Sequence, residues 1–125
     1  MLLSAYLSDE ATFRCMWAFA KAHFDGNGLM NWRIGPDGKI WGEDSATDSD
    51  EDMAMALLIA CENFGSADFC SDGPSLVKRL MLYEIDSTSA VKPGDKWGGC
   101  DADRCGRCRS GFCTHQRVVL VPRHA

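Results

Sequence analysis

The chain has 125 residues, of which 46% are apolar and 25% charged, with 12 Gly, 4 Pro and 7 Cys. That length holds one modest domain rather than two, and the ordinary apolar content excludes global disorder. A net charge of -5 argues against general binding to nucleic acid or anionic membrane, whereas neutral ligands such as sugars stay open.

Met1 to Leu7 reads as the end of a helix. It is apolar, but no basic segment precedes it and Asp9 and Glu10 follow at once, so it does not read as a signal peptide. Ser8 or Asp9 can cap a second helix, in which Phe13, Met16, Trp17, Ala20 and Phe24 recur at the spacing of one buried face. Asp25-Gly26-Asn27-Gly28 stops it, because Gly and Asn accept a left-handed backbone. Leu29 to Ile34 and Lys39 to Trp41 are short extended runs around the turn Gly35-Pro36-Asp37-Gly38, a small hairpin or an irregular loop carrying Trp32 and Trp41.

Thr47 or Asp48 can cap the next helix, with Asp50, Glu51 and Asp52 at its positive end. Met53 to Cys61 then contains no polar residue. A helix apolar all round is buried all round, and so short a chain has too few elements to enclose it. The sequence therefore implies a larger surround, such as the inner ring of a helical barrel. Residues 67 to 85 form a third helical region with Leu76, Leu80 and Tyr83 on one face and Pro74 early in the helix. Ser87 to Asp95 is a loop. No stretch approaches the ~18 apolar residues of a membrane span.

The charge is uneven. Residues 1 to 100 hold 8 basic and 16 acidic residues, whereas residues 101 to 125 hold 5 Arg, no Lys and 2 Asp. Four of the seven cysteines fall between positions 100 and 113, and an odd total fits a disulfide framework poorly. Cys105-x2-Cys108 is a zinc spacing, and Cys100, Cys105, Cys108, Cys113 and His115 together define a small metal-binding protein as one alternative.

Six carboxylates, Glu43, Asp44, Asp48, Asp50, Glu51 and Asp52, fall within ten residues. A solvated helix start is the plain interpretation. Against it, the cluster leads directly into the buried helix, and Trp32 and Trp41 lie just upstream with faces suited to stacking on sugar rings. Asp48 stands where a helix start meets a loop, a position that aims a side chain into a cavity. Calcium is a competitor, but the glycine and distal glutamate of an EF-hand loop are missing.

The stretch Ala46-Thr47-Asp48-Ser49-Asp50-Glu51-Asp52-Met53-Ala54, with the apolar run to Phe64, resembles the signature of glycoside hydrolase family 8: Ala-Ser/Thr-Asp-Ala/Gly-Asp, two free positions, Ile/Met-Ala, then small and apolar residues and an aromatic. Ser49 is the one departure, and it is nearly as small as the usual Ala or Gly. Gly28-Leu29-Met30-Asn31-Trp32-Arg33-Ile34 upstream and Lys92-Pro93-Gly94-Asp95-Lys96-Trp97-Gly98-Gly99 downstream extend the resemblance over residues 1 to 100. It implies an all-α fold, a partial (α/α)6 barrel of helical hairpins with short extended loops, from an inverting endo-β-1,4-glucanase that needs no cofactor or metal. The implied partner is a β-glucan or a related polysaccharide such as chitosan, with no nucleic acid, membrane or defined protein partner. The family is usually secreted or periplasmic.

By the same resemblance Asp48 is the catalytic aspartate, which either accepts a proton or holds the distorted sugar. Trp32 and Trp97 floor sugar subsites. Asp50 and Trp41 join the substrate-binding candidates, and orienting the loop or capping the helix is the nearer role for Asp50. An inverting site also needs a general acid, with carboxyl groups ~6.5–9.5 Å apart. The family's acid is a Glu in a Ser-Glu-Gly stretch that would end just before Met1, so the expectation is an N-terminally truncated, inactive fragment. A catalytically dead glucan-binding piece is the other alternative. Residues 101 to 125 are expected to be non-native sequence from a shifted reading frame. Shifting the codons of His115 to Arg123 by one nucleotide permits the family's Asn-x-Ser-Tyr-x-x-Pro-Ala motif.

Overall fold

A short helix, α1 (Leu2–Tyr6), and a longer one, α2 (Glu10–Ala22), open the computed structural model, which describes residues 1–98. Asp9 caps α2 as expected: its Oδ1 accepts the Thr12 N–H at 3.1 Å, satisfying one free donor of the first turn. Phe13, Trp17 and Ala20 point into the core. Met16, expected on the same face, is 42% exposed. The stop works through Asp25, whose Oδ1 accepts the N–H groups of Asn27 and Leu29 at 2.8 and 3.1 Å.

The next segment is a hairpin. Strands β1 (Asn31–Ile34) and β2 (Ile40–Ser45) pair antiparallel. Branched and aromatic residues flank a turn-forming Gly-Pro-Asp-Gly. The all-α expectation is corrected here: the fold is mostly helical with a two-stranded sheet. The second strand also runs four residues past Trp41, through Glu43 and Asp44 to the threshold of the next helix. The pairs Asn31–Ser45, Arg33–Gly42 and Ile34–Ile40 require an extra residue on β2 at each step, so the strand carries two bulges. Bulges bend a strand and redirect its side chains.

Helix α3 (Thr47–Phe64) begins one residue earlier than its expected caps allow. Ala46 is the N-cap, and Thr47 and Asp48 are already helical. Their free donors find other partners: the Thr47 N–H donates to the Pro93 carbonyl at 3.1 Å, and the Ser49 N–H donates to Asp48 Oδ1 at 2.9 Å. Gly65 ends the helix at φ 64°, where only a residue without Cβ is unstrained. Helix α4 (Ala67–Tyr83) follows, with Pro74 in its interior rather than its first turn.

The core gathers where α3 and α4 meet α2. The Phe13 ring lies edge-on to Phe69 and Phe64 at 4.9 and 5.8 Å, and Leu57 and Leu76 are fully enclosed beside them. A Cys61–Cys70 disulfide, with Cα atoms 4.7 Å apart, ties α3 to α4. An odd cysteine count excludes pairing all seven, not pairing two. The apolar run of α3 is only partly covered. Met53, Ala54, Ala56, Leu57 and Ala60 are buried, whereas Met55 is 52% and Leu58 39% exposed. Cys100, Cys105, Cys108, Cys113 and His115, and with them the zinc and reading-frame readings, lie outside the described residues.

Candidate active site

The bulged end of β2 and the first turn of α3 form one wall of a cleft of about 810 Å³, and the loop Val91–Trp97 forms another. Asp48, Glu43, Asp44 and Glu51 line it, together with the rings of Trp32 and Trp97. Asp48 projects to the exposed surface from the start of α3, where the helix dipole favours its negative charge. Its Oδ1 accepts the Ser49 N–H at 2.9 Å.

The aromatic floor depends on glycine. The Trp32 ring lies over Gly42 and the Trp97 ring over Gly94, so closely that a Cβ at either position would strike the indole. Trp97 is fixed further by its Nε1–H, which donates to the Ser45 carbonyl at 3.0 Å. Both rings remain about half exposed, as flat apolar faces awaiting a ligand would be. Asp44 adopts φ 73°, left-handed and strained for a residue with a side chain. Its N–H donates to Asn31 Oδ1 at 2.9 Å, and Lys96 Nζ donates to its Oδ1 at 2.6 Å.

Behind this wall lies a second set of acids, shut away from water. Ser45 is its hub. The Ser45 hydroxyl donates to Glu84 Oε1 at 2.6 Å and accepts the Asp95 N–H at 2.9 Å, and the Ser45 N–H donates to Asp95 Oδ1 at 3.0 Å. Asn27 Nδ2 donates to Asp95 Oδ2, and Lys92 Nζ to the Asp95 carbonyl. Asp50 is fully buried, with Oδ1 accepting the Met30 N–H at 3.3 Å. Burial, and then the charge of Glu84, push the Asp50 carboxyl up to about 8. Burial also raises Glu84, opposed by the hydroxyls of Ser45 and Thr47 and by the Asp50 carboxyl. Asp25 is raised by burial and by its bond to Asp95. Burial acts against Asp95 too, but bonds from the Ser45 N–H, Asp25 and Asn27 win and hold it below the usual carboxylate range.

The structure thus brings Asp48, Trp32 and Trp97 into one cleft, and it does not bring Trp41 or Asp50 there. The Trp41 ring covers Gly35 on the hairpin, with the Arg33 guanidinium 5.4 Å from its centroid. Asp50 is buried against the Met30 N–H and does not line the cleft with the other candidates. Glu84, Asp25 and Asp95 were not singled out in the sequence, although Glu84 sits in the conspicuous setting Tyr83-Glu84-Ile85. Among the described residues, the oxygens of Asp25, Asp44 and Asp95 lie within 4.8 Å of one another, a spacing that could hold a cation. The Lys96 ammonium, on Asp44 and 3.9 Å from Asp25, already supplies positive charge there. No described helix is long and apolar enough to cross a membrane.

An acid at a helix start and two tryptophan rings thus share one cleft in a mostly helical chain. Residues 1–105 match the model of glycosyl hydrolases family 8, and the chain belongs to that family. It is 36% identical over 107 residues to Endoglucanase A of Acetivibrio thermocellus, an alignment covering 79% of this chain and 22% of that protein. It is 32% identical over 108 residues to Endoglucanase 2 of Ruminiclostridium josui, covering 81% and 24%. The fold superposes on endoglucanase Cel10, a family 8 glycosyl hydrolase from Klebsiella pneumoniae, with a TM-score of 0.69 at 24% identity, over 80% of this chain and 34% of that one. The endo-beta-1,4-glucanase CMCax from Acetobacter xylinum gives a TM-score of 0.68 at 23% identity over the same shares. The chain spans less than a quarter of the length of the two curated relatives.

Proposed function

We propose that these residues form part of the catalytic cleft of an inverting endo-β-1,4-glucanase, within a portion of an (α/α)6 barrel. The observation that carries the reading is the cleft itself: Asp48 stands at its rim between the half-exposed faces of Trp32 and Trp97. Stacked indoles would seat consecutive glucose rings, and Asp48 would either take the proton of the attacking water or hold the strained sugar at the cleavage point. The uncovered side chains of Met55 and Leu58 support the barrel, since further helices would bury them. The Cys61–Cys70 disulfide supports an exported protein, because such bonds persist in oxidising compartments.

Inversion requires a second carboxyl group as acid, and the Ser-Glu-Gly stretch that supplies it in the family does not occur in these 125 residues. The chain alone should therefore bind cello-oligosaccharides without cutting them. Titration with cellohexaose should quench tryptophan fluorescence saturably, and Trp97→Ala should abolish the effect. An unchanged spectrum at millimolar cellohexaose would remove the sugar-cleft reading. Reducing-end release from carboxymethyl cellulose, lost in Asp48→Asn, would show instead that a carboxyl group within the chain serves as the acid.

A further inference from the structure

Among the buried acids behind the cleft, Asp25 Oδ2, Asp50 Oδ2 and Glu84 Oε2 have no hydrogen-bond partner among the described residues, and neither has the enclosed Thr47 hydroxyl. Asp50 uses Oδ1 to accept the Met30 N–H, and Glu84 uses Oε1 to accept the Ser45 hydroxyl. Asp50 Oδ2 and Glu84 Oε2 are both enclosed, and no N–H or O–H of the described residues makes a hydrogen bond to either. Both residues have zero exposure, so bulk water does not reach them. Two ionised carboxylates in this arrangement would each leave a lone pair unsatisfied and would repel one another in a low-dielectric interior. One proton removes both costs: a protonated carboxyl donates to its ionised neighbour, and each carboxyl then stabilises the other.

We propose that Asp50 and Glu84 share a single proton and act as positioning residues for Asp48, pinning the first turn of α3 to the end of α4. The inference rests on assigning Asp48 to the active site. Asp50 lies two residues beyond Asp48 on the same turn, and Glu84 is the C-cap of α4. Glu84 also accepts the Lys92 N–H through its backbone carbonyl at 2.7 Å, which ties the loop carrying Trp97 to the same anchor. The wall with the acid and the wall with the indole are therefore registered against each other through one shared proton. Other charged groups near the pair are Asp25 on the loop after α2, Asp44 on β2, and Asp95, Lys92 and Lys96 on the last loop. Asp25 and Asp95 oppose ionisation of the pair. Lys92 Nζ is directed to the Asp95 carbonyl, and Lys96 Nζ to Asp44.

The consequence for pH follows from the direction of the Asp50 shift. Its folded-state value, about 8, lies above its ordinary 3.8. The contribution is fully present below pH 4 and is lost as pH rises towards 8. Over that window the unfolded chain gives up a proton that the folded chain keeps, so the pair lowers the folding equilibrium about tenfold per pH unit.

The test is urea unfolding of the full chain between pH 5 and pH 8, for the wild type, Asp50→Asn and Glu84→Gln. An amide on either side keeps the contact without the shared proton. Both variants should lose the same about tenfold-per-unit dependence, and both should gain on the wild type as pH rises. If Glu84→Gln keeps the wild-type slope, the proton belongs to Asp50 alone and sharing is overturned. Infrared spectra of the wild type at pH 7 cover the case in which a variant fails to fold: a protonated-carboxyl band from a buried group is expected, and its absence overturns the proposal. The positioning role is read from the amide resonance of Ser49, which should move with the pair's titration. A Ser49 signal indifferent to that titration would leave Asp48 uncoupled and overturn the role. No sugar enters these measurements, so their failure is distinct from failure of the glucanase reading.

Discussion

The two ends of α3 are held in different ways. At the C-terminal end, Leu57, Ala60 and Phe64 pack on Phe13, Phe69 and Leu76, and a disulfide closes the turn to α4. That end is held by the shapes of apolar side chains. At the N-terminal end, Asp50 and Thr47 are buried among Ser45, Glu84 and Asp95. That end is held by hydrogen bonds and a proton, each of which depends on the exact charge state of its neighbours. Apolar packing tolerates small shifts, whereas a hydrogen-bonded network fixes direction. A cleft that aims one carboxylate, as proposed for Asp48, needs the second kind of anchor, and the rest of the helix needs only the first.

The largest expected effect tests the apolar end. Phe13→Ala removes a fully buried ring that meets two others edge-on. The loss should be about 3–5 kcal/mol, measured by urea unfolding and equal at pH 5 and pH 8. A clear pH dependence would mean that the core end is coupled to the acid network and that the two ends are not separate. Cys61→Ser comes next. The bridge closes a short loop, with a sequence separation of 9, so the loss should be about 2–3 kcal/mol. It should again be flat with pH, and matched by treating the wild type with a reductant.

Ser45→Ala tests the other end. Its hydroxyl serves Glu84 and the Asp95 N–H at once. Removal should cost about 1–3 kcal/mol, because two buried groups lose a partner. The hydroxyl also holds Glu84 down against burial. Without it the folded-state value rises further, so the cost should grow from pH 5 to pH 8. A cost independent of pH would show that Ser45 only fills space.

These contrasts also explain what the sequence could reveal. The helices were legible because Phe13, Trp17 and Ala20 repeat at helical spacing and Asp9 and Gly65 mark ends, which are local signals. Asp48, Trp32 and Trp97 were placed together by resemblance to a family signature, and the cleft unites them. The hairpin's full length was hidden because Glu43-Asp44-Ser45 has no strand pattern: its pairing is set by two bulges and by the bond from the Asp44 N–H to Asn31. The acid network was hidden for the same kind of reason. Glu84 and Asp95 are 39 and 50 residues from Ser45 along the chain, and no spacing rule links a residue at a helix end to one in a bulged strand. Asp50 showed the limit most plainly. Two residues from Asp48 in the signature, it looked like part of the same surface, but a two-residue step along the helix turns the two side chains to opposite sides.

That divergence frames the smallest expected effect on stability. Asp48→Asn changes an exposed side chain that accepts the Ser49 N–H, and the amide oxygen can still accept that bond while the favourable charge at the helix start is lost. Stability should fall by less than about 1 kcal/mol, the scale of one charge at a helix start, with little change in the pH dependence of unfolding between pH 5 and pH 8. Asp50→Asn, two residues on, should alter that dependence strongly. A small loss for Asp48 with a pH-dependent result for Asp50 would assign the outward carboxylate to the ligand and the inward one to the scaffold. If Asp48→Asn instead destabilised the chain by a kilocalorie or more, its carboxylate would be bearing structural weight at the helix start. The proposed chemistry would then lose the residue assigned to it, and unfolding curves at two pH values are enough to decide it.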